Sequence, residues 1–209
     1  MIKVSQNQFA MTTFKACLGA GVERGAAQEM SAALTYCVGH WPDDQAIADL
    51  LVCDLVAAFA DERPFSQQTQ WRRSDDGWHA DKARALADGP SFVDLAVVDN
   101  ASTGLIDHAN LIAALAAYRS TAVEKVFELR VSGTAPITAA QWLSDNRAES
   151  GALFLSVCDE PYERRASISN RVYVGLGEWR VLNDFANRLL VAPSARTLND
   201  AGAGLTDND

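Results

Sequence analysis

The chain has 209 residues and a mass of 22.6 kDa, and its 48% hydrophobic and 22% charged residues place it outside the disordered, collagen-like and low-complexity classes. The 27 acidic residues outnumber the 18 basic ones and give a formal net charge of -9, which opposes the counterion release that drives nucleic-acid binding. Nucleic acid is therefore not expected as a partner.

The cysteines and the N-terminus indicate the compartment. Cys17, Cys37, Cys53 and Cys158 lie in apolar runs without a CxxC pair or a histidine at ligand spacing, so we expect free buried thiols and no metal site. The first residues lack the basic and apolar regions of a secretory signal. The apolar run over residues 50–60 is shorter than the ~20 residues that cross a bilayer. We expect a cytoplasmic protein without membrane contact.

The predicted elements begin with two helices. Ser5 is placed as an N-cap, with Val4 and Phe9 as a hydrophobic staple across it, so the first helix starts here and ends at Gly19 and Gly21. The second helix has apolar residues at the spacing of one buried face. These are Ala26, Met30, Ala33, Leu34 and Cys37, which precede a terminating Gly39.

A third helix is predicted from Pro42 and Asp43 onward. Its body over residues 46–60 is apolar on nearly every side, which predicts a position at the centre of the helical layer. Asp49 and Asp54 interrupt this run. A separation of five residues directs them about 140° apart on a helix, so they are not predicted to form a catalytic carboxylate pair, and at least one should reach the surface.

Strand and helix patterns alternate after the third helix. Residues 70–79 predict a β-hairpin with Asp76 and Gly77 at the turn and exposed Trp71 and Trp78 on its arms. Further strands are predicted over residues 92–98, 126–131, 153–157, 171–174 and 189–192, and helices over 107–120, 138–146 and 178–189.

This order of elements predicts an α+β fold, in which an N-terminal three-helix layer packs on a mixed β-sheet with interleaved helices. We expect a single domain over residues 1–196, because the first sixty residues would expose too much apolar surface alone. Its helical part covers residues 5–62 and its sheet part residues 69–196. The C-terminal tail, residues 197–209, has little to bury.

Two glycine clusters have part of the dinucleotide-binding spacing. Residues 19–25 contain GxGxxxG, but they follow a helix, whereas the dinucleotide fingerprint follows a strand. Residues 172–178 follow a predicted strand, but Arg180 occupies the third glycine position. We therefore expect two turns and no cofactor.

His108 and Asp107 are the candidates for catalysis, since an imidazole and a carboxylate can exchange protons with a substrate. The alternative is structural. Asp107 would then be the N-cap of the following helix, which would leave His108 in its exposed first turn.

Residues 164–196 carry a positive net charge, because this segment contains six arginines and only two acidic residues. Arg164, Arg165 and Arg171 are candidates for ligand binding, because a guanidinium group binds carboxylate or phosphate through two hydrogen bonds. The predicted ligand is a small anion or a phosphorylated metabolite. The alternative is that these arginines pair with acidic residues of the chain itself.

Two terminal segments resemble known families. Residues 15–21, KACLGAG, resemble the K-A-x-x-G-A-G start of a bacterial protein family of unknown function, and residues 202–209, GAGLTDND, resemble its C-terminus. The N-terminal stretch with Gly39 and His40 also resembles the opening helices of the malate/L-lactate dehydrogenases that lack an ordinary Rossmann fold, although residues 41–43 replace their Ser-His-Gly motif. The first resemblance implies no activity, and the second implies a helix-turn-helix shape only.

Two hypotheses about function follow. The first is a binding or self-assembling module that forms a homo-oligomer or binds a partner, because the third helix is apolar and aromatic residues such as the two hairpin tryptophans are enriched in interfaces. The second is an enzyme acting on a small anionic or phosphorylated metabolite. In that case the arginines bind the ligand and His108 or Asp107 is the acid–base group.

Overall fold

A computed structural model of the chain describes residues 1–40, 45–61, 69–145, 151–162 and 171–189. The helices are α1 (Gln6–Gly19), α2 (Arg24–His40), α3 (Gln45–Asp61), α4 (Ala85–Asp99), α5 (Ala109–Val123), α6 (Ala139–Ser144) and α7 (Leu176–Asn187). The strands are β1 (Ile2–Ser5), β2 (Arg72–Ser74), β3 (Gly77–Ala83), β4 (Ala101–Ile106), β5 (Lys125–Val131), β6 (Ile137–Thr138), β7 (Ala152–Pro161) and β8 (Arg171–Val174). Within these ranges no helix has the length and apolar character needed to cross a membrane.

Six strands form the main sheet, in the order β2-β3-β4-β7-β5-β6. β3 and β4 are parallel neighbours, and β7 lies antiparallel between β4 and β5, so β3, β4 and β5 run in one direction. β1 and β8 form a separate two-stranded antiparallel sheet. The predicted α+β class and mixed sheet with interleaved helices are confirmed, whereas the sequence pattern does not predict β1 or the second sheet.

Helices cover one face of the main sheet. α4 packs on β3, β4 and β7, and α5 packs on β5. Ser102 of β4 points to this side, where its hydroxyl donates a 2.8 Å hydrogen bond to the carbonyl oxygen of Phe92 in α4. Phe127 and Leu155 are fully buried, whereas Leu105, which points the other way, keeps 52% of its surface exposed. Among the described elements, no helix covers this second face, which we call the outer face.

α5 is the central helix of the fold. Every residue from Ala109 to Ala117 is buried, and α2, α3, α4 and α6 all pack against this helix. The alanines of α5 allow neighbouring helices to approach its backbone closely. The thiol of Cys37, in α2, lies 3.9 Å from the carbonyl oxygen of Ala114. The prediction that α3 occupies the centre is wrong, because α3 exposes Cys53. An apolar composition does not reveal whether a helix has neighbours on every side.

The cysteine prediction is only partly correct. None of Cys17, Cys37, Cys53 and Cys158 forms a disulfide bond within the described residues. Cys17 and Cys37 are buried, but Cys53 is exposed and Cys158 is half-buried. The two exceptions lie on the solvent side of α3 and of β7, where an apolar neighbourhood in the sequence does not produce burial.

The predicted strand over residues 92–98 is wrong, because these residues belong to α4. Phe92, Val93 and Ala96 are buried and Val98 is 71% exposed, which is the spacing of one helix face. A short apolar run does not distinguish a buried helical segment from a strand.

The predicted hairpin is present with a turn one residue earlier. Ser74 pairs with Gly77 across β2 and β3, so the turn residues are Asp75 and Asp76. Gly77 has a φ of 122°, a left-handed value that favours glycine at the start of β3.

The expectation that the hairpin tryptophans are exposed is wrong. Trp71 is half-buried, and its ring centroid lies 5.8 Å from that of Phe92 in α4. Trp78 is also half-buried and pairs in register with Ser102, whose side chain faces the helices. Trp71 therefore contributes to the core under α4, and neither tryptophan is fully exposed.

α1 begins as predicted and ends in close contact with α7. The Ser5 hydroxyl accepts a 3.1 Å hydrogen bond from the N–H of Gln8. At the other end, a Cβ atom added to Gly19 would overlap the carbonyl oxygen of Phe185 and lie 2.8 Å from its carbonyl carbon. The backbones of α1 and α7 therefore touch at Gly19. The tail over residues 197–209 lies outside the described residues, as does all but the first residue of the predicted strand over 189–192.

Candidate functional site

The carboxyl ends of β3 and β4 lie side by side. Their parallel register pairs Ala83 with Ile106, so Arg84 and His108 follow the two strands at the same edge of the sheet. Arg84 is the N-cap of α4 and His108 is the N-cap of α5. In sheets with parallel strands, ligands bind in the loops beyond the carboxyl ends. This edge is the candidate functional site.

His108 has an unusual backbone conformation for an N-cap. Its φ of 62° and ψ of 50° are left-handed. N-cap residues are ordinarily extended, as are Ser5 (φ −73°, ψ 154°) and Thr138 (φ −63°, ψ 152°) in this protein. The left-handed conformation costs a non-glycine residue on the order of 1 kcal/mol. Backbone strain of this kind is concentrated at functional sites.

The structure separates the two predicted catalytic residues. Asp107 is not the N-cap of α5: its side chain is exposed, and its Oδ2 lies 3.6 Å from the Nζ of Lys82. His108 is half-buried rather than exposed, and its Nε2 atom is buried. The structural alternative for this pair is therefore wrong, because the left-handed turn directs His108 inward and leaves Asp107 in solvent.

A chain of hydrogen bonds lies beside His108. The Nδ2 of Asn110, in the first turn of α5, donates a 2.8 Å hydrogen bond to Oδ2 of Asp54 in α3. The Oδ1 of Asn110 accepts a 2.9 Å hydrogen bond from Nε1 of Trp142 in α6. Asn110 is 5% exposed and Trp142 is 0% exposed. We call Asp54, His108, Asn110 and Trp142 the Asp54 cluster.

The surroundings of Asp54 shift its pKa. Burial raises the pKa of Asp54 above the ordinary range of aspartate, and this effect exceeds the opposing effects of the Asn110 hydrogen bond and of positive charge on His108. A carboxyl group with a raised pKa holds and releases its proton closer to neutral pH. Groups shifted in this way are frequent in active sites.

Asn110 and Trp142 are not found by sequence reasoning, although a signal for Asn110 exists. Asn110 directly precedes the apolar segment 111–117, and a buried polar side chain needs a hydrogen-bond partner. Asp54 interrupts the apolar run 50–60 in the same way. Each residue is recognisable as an exception, but neither pattern reveals that the two exceptions meet.

The structure describes one of the three arginines predicted to bind a ligand. Arg164 and Arg165 lie outside the described residues, and Arg171 is exposed at the start of β8 in the two-stranded sheet. Among the described residues, Arg84 lies next to the candidate site. Its Nε lies 3.5 Å from Oδ2 of Asp88, which also accepts a 2.9 Å hydrogen bond from the Arg84 N–H.

The two glycine clusters form turns. The first cluster spans the connection between α1 and α2, residues 20–23, and is a turn between two helices as predicted. At the β8–α7 turn, Oδ1 of Asp49 accepts a 3.0 Å hydrogen bond from the N–H of Gly175, and the Glu178 carboxylate folds back against Gly175. Two carboxylates thus occupy the helix start where a phosphate would bind, so this turn does not fit a pyrophosphate. Asp49 bonds at the start of α7 and Asp54 bonds to Asn110 in α5, so the two carboxylates do not form a pair, in agreement with their predicted angular separation.

The hairpin carries a second group of catalytic residue types. The Nε2 of His79 lies 2.5 Å from the Ser74 hydroxyl and 3.0 Å from the Asp76 carboxylate. In a Ser-His-Asp triad the serine and the aspartate bind different ring nitrogens, whereas here both approach the same one. The group therefore stabilises the turn. Within the described ranges, no three His, Cys, Asp or Glu side chains are arranged to hold a metal ion.

Comparison with known proteins identifies neither a family nor a shared fold for this chain. No protein-family model and no curated protein matches the chain. The crystal structure of malate dehydrogenase from Entamoeba histolytica is similar with a TM-score of 0.41 and 13% identity, over 66% of this chain and 43% of that one. The chain thus spans less than half the length of that enzyme, and a TM-score this low does not identify a shared fold.

Proposed function

We propose that the chain binds a small anionic or phosphorylated metabolite at the carboxyl ends of β3 and β4, and that His108 exchanges a proton with it. The observation that carries this proposal is the strained, left-handed His108 with its buried Nε2 atom beside Asp54. A strained backbone is retained only where the surrounding structure enforces it. Nothing in the capping of α5 requires a histidine, since its side chain makes no capping hydrogen bond.

The chemistry of the edge supports an anionic ligand and a proton transfer. Lys82 and Arg84 at the end of β3 supply positive charge, although Asp107 and Asp88 offset part of it. The start of α5 adds the partial positive charge of a helix N-terminus. In this setting His108 would accept a proton from the ligand, and the carboxylate of Asp54 would stabilise the resulting imidazolium.

The variant that tests the proposal is His108→Asn. Asparagine tolerates the left-handed conformation, so the fold should be retained while the ionisable ring is lost. The compounds to test are inorganic phosphate and a panel of phosphorylated and carboxylic metabolites. We expect at least one of them to raise the Tm of the unmodified chain by a few degrees, because a ligand at ~100 times its Kd adds roughly 2.7 kcal/mol to the free energy of unfolding. His108→Asn should lose that shift.

His79→Asn is the matched control, because His79 lies on the hairpin and is removed from the edge. It should keep the ligand-induced shift. If no compound of the panel raises the Tm of the unmodified chain, or if His108→Asn responds as the unmodified chain does, the proposed function is wrong.

Self-association through the outer face of the main sheet is our second proposed function. The earlier arguments for it do not hold, because α3 packs on α5, α7 and β8, and Trp71 packs on Phe92. The specific observation is that Leu105 is 52% exposed on the outer face, beside a half-buried Phe154 whose ring lies 4.5 Å from the guanidinium carbon of Arg130. A sheet face that no described element covers can pack on a second sheet through apolar residues such as these.

Leu105→Lys tests this second function. If the outer face associates, the charge should weaken dimerisation at least about tenfold, since desolvating a lysine costs more than the roughly 1.4 kcal/mol that a factor of ten requires. Sedimentation equilibrium measures the dissociation constant. Val98→Lys is the control, because Val98 is 71% exposed on α4 instead. A monomeric unmodified chain at high concentration contradicts the proposal.

A further inference from the structure

The orientation of the Asn110 amide follows from the chemistry of its two partners. An asparagine side chain has an acceptor end, Oδ1, and a donor end, Nδ2. The indole of Trp142 can only donate a hydrogen bond, so the end of the amide that faces it must be Oδ1. The Nδ2 end then has to face Asp54, where it lies 2.8 Å from Oδ2. The orientation is thus imposed by a residue that does not touch Asp54.

We infer that Trp142 is a positioning residue, which fixes the amide of Asn110 as a hydrogen-bond donor to Asp54 and thereby stabilises the carboxylate form of Asp54 against the effect of burial. This role rests on the proposed function of Asp54 and His108 in proton exchange. Trp142 acts through Asn110, with no contact of its own to a ligand required. Its full burial and the 5% exposure of Asn110 keep solvent from competing for either hydrogen bond.

The two possible amide orientations have opposite effects on Asp54. When Nδ2 faces Asp54, the amide donates a hydrogen bond to the carboxyl group, and a donor stabilises its negatively charged form. When Oδ1 faces Asp54, the amide can only accept a hydrogen bond, and only the protonated carboxyl group has a hydrogen to donate. The carboxylate would then face an oxygen lone pair in a half-buried place. Loss of the indole N–H removes the reason for the first orientation.

Other charged groups also lie near Asp54. His108 faces Asp54 from the start of α5. On the α3 and α7 side, the charges of Asp54, Asp49 and Glu178 act together on the thiol of Cys53, whose pKa is raised mainly by burial. Replacing Trp142 by phenylalanine removes none of these charged groups. A shift of the Asp54 titration to higher pH therefore reports on the amide of Asn110.

The experiment is a pH titration of the Asp54 carboxyl carbon by 13C NMR in the free protein, for the unmodified chain and for Trp142→Phe. We expect the Asp54 titration to move to higher pH in Trp142→Phe, because the amide no longer has to donate to the carboxylate. Water entering the space left by the indole would move it to lower pH, so the direction is diagnostic. An unchanged or lower titration midpoint overturns the inference.

Trp179→Phe is the matched control, since Trp179 is also buried but stacks on Phe9, with ring centroids 6.4 Å apart. It should leave the Asp54 titration unchanged. If Trp142→Phe does not fold, the unmodified chain provides a second measurement: the Asn110 side-chain NH2 signals should follow the titration of Asp54. If they do not respond to it, the inference is overturned.

Failure of this inference is distinguishable from failure of the proposed function. The NMR titrations use no ligand and report only on Asp54 and Asn110, whereas the proposed function is tested by the Tm shifts with phosphate and metabolites. A displaced Asp54 titration in Trp142→Phe would support the positioning of Asn110 even if no compound binds. In that case the positioning would serve the stability of the fold.

Discussion

Replacing Gly19 by alanine should destabilise the protein by about 2 kcal/mol, even though alanine is the better helix former. The alanine Cβ would overlap the carbonyl oxygen of Phe185 and lie 2.8 Å from its carbonyl carbon. The obstacle is the backbone of α7, which cannot rotate away as a flexible side chain could. The gain in helix propensity is at most about 1 kcal/mol, so the steric effect exceeds it.

Urea unfolding and calorimetry measure this effect. For a protein of this size 2 kcal/mol corresponds to a decrease in Tm of roughly 4–8 °C. Gly177→Ala is the control, since Gly177 lies in the first turn of α7 and an added Cβ would meet nothing within 4 Å. This variant should be more stable than the unmodified chain by about 0.5–1 kcal/mol. An unchanged or increased stability of Gly19→Ala would show that α1 and α7 are not in backbone contact.

The second large effect is expected for Asn110→Ala, which should lower the free energy of unfolding by about 3 kcal/mol. The substitution removes both hydrogen bonds of the amide. It leaves the indole N–H of the fully buried Trp142 without its acceptor and the half-buried carboxylate of Asp54 without its donor. A buried group without its partner loses about 1–3 kcal/mol, and a charged group loses more than a neutral one.

This loss should depend on pH in a direction that Asp54 determines. The folded-state pKa of Asp54 is raised by burial, so its contribution to stability is full below the unfolded pKa and is lost as pH rises through the folded pKa. Removal of the Asn110 donor raises this pKa further. The destabilisation by Asn110→Ala should therefore be larger at pH 7 than at pH 4, which urea unfolding at both pH values measures.

Asn183→Ala is the control for Asn110→Ala. Asn183 is half-buried in α7, and its amide donates to the backbone carbonyl of Trp179 in the same helix, so the change should stay within about 0.5 kcal/mol. A double variant with Trp142→Phe should lose less than the sum of the single effects, because both substitutions act on one hydrogen bond. Additive losses, or equal effects of the two asparagine substitutions, would contradict the description of the Asp54 cluster.

Local features of the fold were predictable because they depend on neighbouring residues. Ser5 caps α1 through the N–H of Gln8, and the sequence between them is sufficient to indicate this. The strand over residues 92–98 failed for the opposite reason. Its apolar run suits either a strand or a buried helix, and the packing of α4 on the main sheet decides between them.

The candidate site was partly predictable in the same sense. His108 is recognisable in the sequence because an imidazole can accept or donate a proton near neutral pH in whichever direction it points. The direction in which it points was not predictable. The adjacent Asp107 turned out to face solvent and Lys82, whereas the carboxylate that accompanies His108 is Asp54, from a helix far earlier in the chain.

By itself the sequence determined the α+β class, the N-cap of α1 and the polar interruptions of apolar runs, since these follow from local geometry and composition. Only the tertiary structure decided that α5 is the central helix and that Asp54, Asn110 and Trp142 meet beside His108. The reason is physical. A buried polar group requires a partner, but which partner it finds depends on how α3, α5 and α6 pack, and no spacing along the chain records that packing.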